Sequence, residues 1–274
     1  MAEANPGTEG TRRLAVVGHP IAHSRSPAMQ NAALADLGLA GEWEYSAVDI
    51  EPEEFESGIR ELADSGFIGV NVTVPHKEAA LRLSESASTT ARDIGAANAL
   101  TFGADGITAD NFDGPALAEL LPKGLGGKGA LVLGAGGAAR AAIWALADSG
   151  AEVSIWNRTP SRAEGLATST GIEVDPEPQL DRFKAVVNAS AAGLGGGDPF
   201  ADLPFGPDDF SEGQFLIEMV YGDGPGELVE AARAAGADAV DGISVLVAQG
   251  ALSLESWTGR KPSRQVMDEA ARAA

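Results

Sequence analysis

Residues 69–77 read GVNVTVPHK and end in a lysine whose position suits proton transfer. Strand alternation places the three valines on one face of this segment and Asn71 and Thr73 on the other. Pro75 is expected to end the strand and can open a helix, which leaves Lys77 in the first helical turn. A positive charge at the start of a helix opposes the helix dipole, so helix stability does not explain a lysine at this position. A role in proton exchange would explain it. A surface lysine on an amphipathic helix fits the local pattern at least as well.

Residues 18–27 read GHPIAHSRSP and contain two serines that can act together. The proline after Ser26 biases that residue towards an extended conformation, so Ser24 and Ser26 can point the same way. Two hydroxyls beside a helix N-terminus suit a carboxylate. Ser26 also fits the N-cap of a helix over Pro27–Leu37, which is compatible with binding. His23 has no metal partner at ligand spacing, so we interpret it as structural and expect no metal site.

Asp113 and Gln249 are two further polar residues, and each could have either a structural role or a role in the site. Asp113 lies in the segment NFDGP, where local evidence favours a helix cap. Gln249 lies on a helix face that should be buried, because its neighbours at helical spacing are apolar. Those neighbours are Val245, Leu246 and Leu252. A buried amide without a partner costs roughly a few kcal/mol, so Gln249 should bind a backbone group or a ligand hydroxyl.

A glycine-rich turn directly follows the apolar residues 130–133. It consists of Gly134, Ala135, Gly136, Gly137 and Ala138, and Ala139 completes the pattern G-x-G-x-x-A. The first glycine permits a tight turn, the second lets the backbone approach a pyrophosphate, and the small last residue allows close helix–strand packing. The N-terminus of the following helix offers free N–H groups to phosphates. The order strand, turn and helix predicts a dinucleotide site, although a purely structural turn could use the same glycines.

The residues after the next predicted strand indicate which dinucleotide binds. They read NRTPSR and include Asn157, Arg158, Thr159 and Arg162. NAD enzymes usually place an acidic residue here to hold the ribose 2′-hydroxyl, whereas guanidinium groups match a 2′-phosphate. We therefore expect NADP(H) rather than NAD. A helix capped by Thr159, with merely solvated arginines, is compatible with the same residues.

Short apolar runs alternate with longer amphipathic stretches, which is typical of βαβ units in a mostly parallel sheet. The predicted strands are Arg13–Val17, Trp43–Val48, Gly69–Val74, Gly129–Leu133, Glu152–Trp156, Ala185–Asn188 and Phe215–Met219. The predicted helices are Pro27–Leu37, Pro52–Asp64, His76–Glu85, Ala138–Asp148, Glu227–Ala235 and Val245–Trp257. The Pro- and Gly-rich segment 114–129 is the expected domain boundary. We expect a first domain over residues 1–114, a second over 115–242, and a C-terminal stretch, 243–274, that packs back onto the first.

The composition excludes several classes of protein and partner. The chain has 274 residues, of which 44% are hydrophobic, so it is not largely disordered. It contains no cysteine, which excludes disulfides and thiol chemistry. A net charge of −21 disfavours nucleic acid and anionic membranes as partners. No apolar run approaches the roughly 18 residues of a membrane span and no signal peptide is evident, so we expect a cytoplasmic protein. The scarcity of lysine beside 40 acidic residues is typical of salt-adapted proteins.

These segments, in this order, resemble the shikimate dehydrogenase family over residues 12–259. The motifs are GHPIAHSRSP, GVNVTVPHK, IGAANAL, NFDG, LGAGGAARA, NRTPSRA, NASAAG, MVYG and DGISVLVAQGA. The resemblance implies two α/β domains that flank a cleft, with a substrate-binding N-terminal domain and a Rossmann-type NADP domain. It also implies reversible reduction of 3-dehydroshikimate to shikimate with NADP(H), in a monomer or homodimer whose partners are small molecules.

The same resemblance assigns roles to individual residues. Lys77 and Asp113 are expected to form the catalytic pair. The expected substrate-binding residues are Ser24, Ser26, Thr73, Asn98, Asp113, Tyr221 and Gln249, with the two serines holding the carboxylate. Met219 and Gly242 are expected to join the glycine turn and the NRTPSR segment in holding the cofactor.

Several positions depart from the family pattern. They are Gln30 for His, Phe112 for Thr, Ala99 for Thr, Glu218 for Asp, Gly222-Asp223 for Asn-Pro, and Val245 for Met. Three alternatives compete: an NAD-using quinate/shikimate dehydrogenase, a non-catalytic ligand sensor, and a methylene-folate-type dehydrogenase. The paired serines argue against the first and third, and Arg158 argues against the first. Retention of Lys77 and Asp113 argues against the second.

Overall fold

The computed structural model describes residues 10–194, 197–224 and 226–274. The first nine residues, which bear on the signal-peptide prediction, lie outside these ranges. Two six-stranded sheets organise the described part of the chain, and helices connect their strands. The prediction of a two-domain α/β protein is therefore confirmed.

The first sheet is mixed and belongs to the N-terminal part of the chain. Its strands are β1 (Arg12–Gly18), β2 (Trp43–Asp49), β3 (Phe67–Val72), β4 (Ser86–Ala87), β5 (Ala99–Gly103) and β6 (Gly106–Asp110). Their order across the sheet is β2-β1-β3-β5-β6-β4. β1 runs parallel to β2 and β3, whereas β5 is antiparallel to β3 and β6. Alternate residues of β1 belong to different hydrophobic clusters, so both faces of the sheet are covered.

The second sheet is entirely parallel. Its strands are β7 (Gly129–Leu133), β8 (Glu152–Trp156), β9 (Glu173–Val174), β10 (Ala185–Asn188), β11 (Phe215–Glu218) and β12 (Asp238–Val240). Their order is β12-β11-β10-β7-β8-β9, so the order of the strands reverses beside β7. In open parallel sheets, ligands bind at the carboxyl ends of the strands where the order reverses. The glycine turn follows β7 and lies at that point.

Ten α-helices connect and cover the sheets within the described residues. They are α1 (Ser26–Asp36), α2 (Phe55–Asp64), α3 (Lys77–Leu83), α4 (Thr89–Ile94), α5 (Asp113–Leu120), α6 (Gly137–Asp148), α7 (Pro160–Thr170), α8 (Glu227–Ala234), α9 (Gly242–Thr258) and α10 (Arg264–Ala273). Although α9 and α10 come last in the chain, they share a buried cluster with β1 and α1 of the N-terminal part. For example, Leu254 of α9 and Met267 of α10 are buried in the same cluster as Met29 of α1.

The structure differs from the sequence prediction at several element boundaries. β3 ends at Val72 rather than Val74, and Val74 is exposed. Helix α1 begins at Ser26, and the residue before it is Arg25, so the prediction that Ser26 caps a helix from residue 27 is wrong. Five strands were not predicted: β4, β5, β6, β9 and β12. Three of them, β4, β9 and β12, have only two or three residues, which carry no readable periodicity. In the described part of the chain, no helix is long and apolar enough to cross a membrane.

Candidate active site

Lys77 and Asp113 come together although 36 residues separate them in the chain. Each is the first residue of a helix, Lys77 of α3 and Asp113 of α5. The Lys77 Nζ lies 2.6 Å from the Asp113 Oδ2, and the two side chains are only 11% and 5% exposed. A pair of charges so little hydrated needs each partner to compensate the other. The geometry provides an amine and a carboxylate that can share and orient a proton.

Asp113 does not cap α5, which corrects the local interpretation of the NFDGP segment. The Oδ1 of Asn111 accepts the bond from the Gly114 backbone N–H at 3.2 Å, and the Asn111 amide donates to the Ala96 carbonyl at 2.9 Å. Asn111 therefore secures the start of this helix. The carboxylate of Asp113 is left free to face Lys77.

Asn98 and Gln249 extend the pair into a four-residue network. The Asn98 Nδ2 donates to the Asp113 Oδ1 at 2.9 Å and to the Gln249 Oε1 at 3.2 Å. The backbone N–H of Phe112 donates to the Asn98 Oδ1 at 2.7 Å, which fixes the orientation of that amide. The Gln249 Nε2 donates to the carbonyl of Leu246 at 2.8 Å, so its partners are a backbone group and a neighbouring side chain. Asn98 and Gln249 thus come from different ends of the chain and present polar atoms around one carboxylate.

Lys77 also touches the glycine turn of the second sheet. A Cβ added at Gly137 would lie 2.7 Å from the Cβ of Lys77 and 3.4 Å from the Cβ of Ala96. Only a glycine lets the first turn of α6 approach α3 so closely. This contact places the amine–carboxylate pair against the start of the helix that would receive a dinucleotide.

The two other glycines of the turn have different physical roles. Gly134 has a φ of +109°, and an added Cβ would lie 2.6 Å from the carbonyl oxygen of Ala189. It therefore permits both the backbone conformation and the close approach of the segment after β10. Gly136, by contrast, faces open space, since an added Cβ would meet nothing within 4 Å. That space, beside the N-terminus of a twelve-residue helix, fits an approaching pyrophosphate.

The residues after β8 present two arginines at the same edge of the sheet. Arg158 is 72% exposed, and its NH1 lies 2.5 Å from an oxygen of Asp202. The Asn157 Nδ2 donates to the Thr159 carbonyl at 2.9 Å, which closes this turn. Thr159 is the N-cap residue of α7 and Pro160 is the first residue of that helix, as the sequence indicates, but the Thr159 side chain makes no capping bond. Arg158 and the exposed Arg162 are the groups here that could meet an additional phosphate.

The residues predicted to bind a carboxylate lie after β1. The backbone N–H of Ser26 donates to the Ser24 Oγ at 3.3 Å, so the two serines are adjacent. Thr73 links this segment to the end of β3, because its methyl group would lie 2.5 Å from a Cβ added at Gly18. Among the described residues, neither serine hydroxyl hydrogen-bonds to the network around Asp113.

Met219 and Gly242 lie on two segments of the chain that contact each other. The Met219 backbone N–H donates to the Asn188 carbonyl at 3.0 Å, at the carboxyl ends of β10 and β11. Gly242 opens α9, and an added Cβ would lie 2.2 Å from the Val220 carbonyl oxygen. Tyr221, next along the chain, is partly buried against the cluster under α1 and α9. These residues thus lie at the same edge of the sheet as the glycine turn or connect that edge to α9.

Three family models match consecutive parts of the chain. The shikimate dehydrogenase substrate-binding domain matches residues 16–100, the shikimate/quinate 5-dehydrogenase model matches 116–191, and the shikimate 5′-dehydrogenase C-terminal domain matches 242–272. A relative named shikimate dehydrogenase (NADP(+)), from Anaeromyxobacter dehalogenans, is 42% identical over 266 residues, which cover 92% of this chain and 93% of the relative. The chain belongs to the shikimate dehydrogenase family.

Solved structures of this family share the fold over nearly the whole chain. Shikimate 5-dehydrogenase from Thermus thermophilus, solved in complex with NADP(H) and shikimate, is 39% identical with a TM-score of 0.86, over 96% of this chain and 99% of that one. Shikimate dehydrogenase from Aquifex aeolicus is 34% identical with a TM-score of 0.87, over 96% of this chain and 98% of that one.

Two of the departures from the shikimate dehydrogenase pattern have clear structural positions. Gln30 is fully buried, and its Nε2 donates to the Gly250 carbonyl of α9 at 3.1 Å. Glu218 is buried at the end of β11, where the Asn188 Nδ2 lies 3.0 Å and 2.9 Å from its two oxygens. Burial raises the pKa of Glu218 to about 7, while the bonds from Asn188 and from the backbone of Val220 act in the opposite direction.

Sequence reasoning missed two charged residues near the site. Arg140, in the first turns of α6, approaches Glu78 of α3 at 3.5 Å and so joins the two domains beside Lys77. Asp202 faces Arg158 from 44 residues away. Neither carries a local signal, because each acquires its partner only when distant segments meet.

Proposed function

We propose that this chain catalyses the reversible, NADP-dependent reduction of 3-dehydroshikimate to shikimate in the shikimate pathway. The observation that carries the proposal is the contact of Lys77 with Asp113 on one side and with Gly137 of the glycine turn on the other. A proton-transfer pair beside a dinucleotide-binding turn is what a carbonyl reductase needs.

The chain's own residues fit the cofactor NADP(H). Gly134, Ala135, Gly136, Gly137 and Ala138 would hold the pyrophosphate. Asn157, Arg158, Thr159 and Arg162 would hold the adenosine ribose with its 2′-phosphate, and Met219 and Gly242 would border the nicotinamide. When bound, NADPH supplies a hydride to the ring carbonyl.

Lys77 supplies the proton in this proposal. Its Nζ holds the proton that the carbonyl oxygen takes as that oxygen becomes an alcohol, and its positive charge stabilises the developing alkoxide. Asp113 orients the amine through the 2.6 Å contact and also accepts a bond from a substrate hydroxyl. Asn98 holds Asp113 in place through the 2.9 Å bond to its other oxygen. In the reverse direction, Lys77 takes the proton from the alcohol of shikimate.

The remaining polar residues would position the substrate. Ser24 and Ser26 would hold its carboxylate through their hydroxyls and the nearby N-terminus of α1. Thr73, Asn98, Gln249 and Tyr221 would bind or enclose the ring hydroxyls. Two neutral hydroxyls suit an anion in a protein whose net charge is −21, because they attract it without needing a counter-charge.

The proposal extends to domain organisation and setting. Residues 1–114 would bind the substrate, residues 115–242 would bind NADP(H), and residues 243–274 would complete the substrate domain. The packing of α9 and α10 against α1 supports the last assignment. The protein would act in the cytoplasm as a monomer or homodimer, with an acidic surface suited to high salt.

The deciding experiment follows nucleotide reduction by the purified protein with four substrate pairs, shikimate or quinate with NADP or NAD, across salt concentrations. We expect the pair shikimate and NADP to give the highest kcat/KM. A preference for quinate and NAD would replace the proposal with a quinate/shikimate dehydrogenase. Ligand binding without turnover in all four pairs would identify a sensor instead.

A further inference from the structure

The arginine proposed to meet the 2′-phosphate already has an acidic partner in the protein. The NH1 of Arg158 lies 2.5 Å from the Oδ1 of Asp202, and the two side chains are 72% and 47% exposed. Arg158 follows β8, whereas Asp202 lies in the long segment between β10 and β11. The ion pair therefore joins the two loops on either side of the glycine turn after β7.

Apolar packing determines the position of Asp202. The residue follows directly a 3-10 turn, Pro199–Ala201, whose proline is buried and whose start is capped by Asp198. Phe205 is buried three residues later and packs edge to face on Phe210, with their ring centroids 5.7 Å apart. Phe205 and Phe210 belong to one buried apolar cluster, and Phe200 and Leu203, on either side of Asp202, pack partly buried against it.

The segment that carries Arg158 packs against this cluster too. Trp156, two residues before Arg158, packs partly buried against it. Because both loops are anchored to one apolar cluster, the carboxylate of Asp202 is held near the guanidinium rather than meeting it by chance.

An acidic residue at this end of a Rossmann sheet favours NAD, and an arginine favours NADP. This chain places one of each in contact. We propose that Asp202 is a specificity-determining residue that competes with the 2′-phosphate for Arg158 and so narrows the preference for NADP over NAD. The inference rests on the proposed function, since it takes the site after β8 as the adenosine ribose site.

The expected effect is several-fold rather than large. Exposed ion pairs are weak and are screened by salt, so removing the competitor should tighten binding of a 2′-phosphate about two- to fivefold at low ionic strength. The same change should leave a ligand without that phosphate nearly unaffected. At about 1 M salt, where the Debye length falls to about 3 Å, the difference should largely disappear.

The test measures dissociation constants by titration calorimetry for adenosine 2′,5′-bisphosphate and for 5′-AMP. The variants are Asp202→Asn and, as a matched control, Asp208→Asn, which removes an exposed carboxylate from the same segment. We expect only Asp202→Asn to tighten the bisphosphate, with 5′-AMP changed by less than about twofold. The competition is overturned if Asp202→Asn leaves the bisphosphate unchanged or weakens it, or if both variants tighten it equally.

A second pair of variants tests whether Asp202 acts through the arginine. We compare how much Asp202→Asn lowers the logarithm of the dissociation constant for the bisphosphate in two backgrounds. In the Arg158→Ala protein, this decrease should be less than half of the decrease in the wild type. An undiminished gain would overturn competition for Arg158. Thermal unfolding of each variant confirms that the comparison is between folded proteins.

Failure of the inference is distinguishable from failure of the proposed function. If the wild type binds the bisphosphate more tightly than 5′-AMP and turns over shikimate, an unchanged affinity in Asp202→Asn overturns only the competition. If the wild type shows neither preference nor turnover, the NADP site itself is wrong and the inference falls with it.

Discussion

At the scale of single residues, the site depends on charges that are nearly removed from water. Lys77 and Asp113 are a close ion pair with little exposure, so removing either leaves the other poorly compensated. Asn98 limits this cost by donating to the second oxygen of Asp113. The same arrangement keeps the amine aimed at one place, which is what proton transfer to a substrate requires.

Replacing Lys77 with alanine should lower kcat by on the order of 10²-fold or more, with a smaller effect on KM, because the proton donor is lost. Steady-state kinetics with shikimate and NADP checks this. The exposed Lys123 provides the matched control, since Lys123→Ala removes an equal charge away from the site. Unchanged turnover in the Lys77 variant would refute its role as the acid.

Glu218 should make stability depend on pH. Its pKa is about 7 in the folded protein against an ordinary value of 4.5, so between these values the folded state holds a proton that the unfolded state has lost. Stability is therefore lost as the pH rises from 4.5 to about 7, by on the order of 3 kcal/mol from this group. Above that range the loss is complete and constant.

Urea unfolding of the wild type and of Glu218→Gln, at several pH values, isolates this contribution from that of His19, whose raised pKa acts in the same direction. The difference in unfolding free energy between the two proteins should change steadily across the range. A constant difference from about pH 4.5 to about pH 8 would mean that Glu218 does not titrate there.

At the scale of elements, the start of α9 is fixed by both a close approach and a cap. The Asp241 carboxylate accepts from the Ser244 N–H at 2.9 Å and lies 2.8 Å from Arg272 of α10. Burial would raise the pKa of Asp241, but Arg272 and Ser244 outweigh it and lower the pKa to about 2. The carboxylate therefore stays charged at the N-terminus of α9, where it interacts favourably with the helix dipole.

Gly242→Ala should disturb this element severely, because its Cβ would lie 2.2 Å from the Val220 carbonyl oxygen and 2.9 Å from the Tyr221 nitrogen. We expect a loss of about 2 kcal/mol or more in unfolding free energy, measured with urea, and weaker NADP binding by calorimetry. The matched control is Gly165→Ala inside α7, where an added Cβ meets nothing within 4 Å. That change should be neutral or stabilise by up to about 1 kcal/mol. Similar effects at both positions would contradict the argument.

The sequence predicted the elements that have clear periodicity. All seven predicted strands occur; most are short runs of buried residues, whereas β2 alternates buried and exposed residues at its start. The glycine turn connects β7 to the start of α6, as its pattern indicates. The prediction that Asp113 caps α5 was wrong, because nothing in the local sequence distinguishes Asn111 from Asp113 as the capping residue. What could not be predicted depends on distant segments meeting: Gly137 against Lys77, Glu78 with Arg140, and Arg158 with Asp202.

At the scale of the whole molecule, several contacts between the two domains lie beside the site. Gly137 packs on Lys77, and Arg140 reaches Glu78, the next residue of the same helix. Helix α9 adds a third connection, since Val245 belongs to the core of the second domain while Leu246 belongs to that of the first. Any movement of one domain on the other therefore acts directly on the position of the amine.

The net charge of −21 should make the folded protein more stable as salt is added. Acidic residues repel one another more in the compact state than in the expanded chain, and screening relieves this because the Debye length falls from about 10 Å at 0.1 M salt to about 3 Å at 1 M. The exposed ion pairs lose little in exchange, since each contributes roughly 0–1 kcal/mol. We therefore expect the free energy of unfolding at about pH 7, measured with urea, to rise by on the order of 1 kcal/mol or more between about 0.1 and 1 M NaCl. Near pH 4.4, the sequence pI, the net charge approaches zero and the gain should shrink markedly. An equal gain at both pH values would mean that salt acts through preferential exclusion rather than through charge.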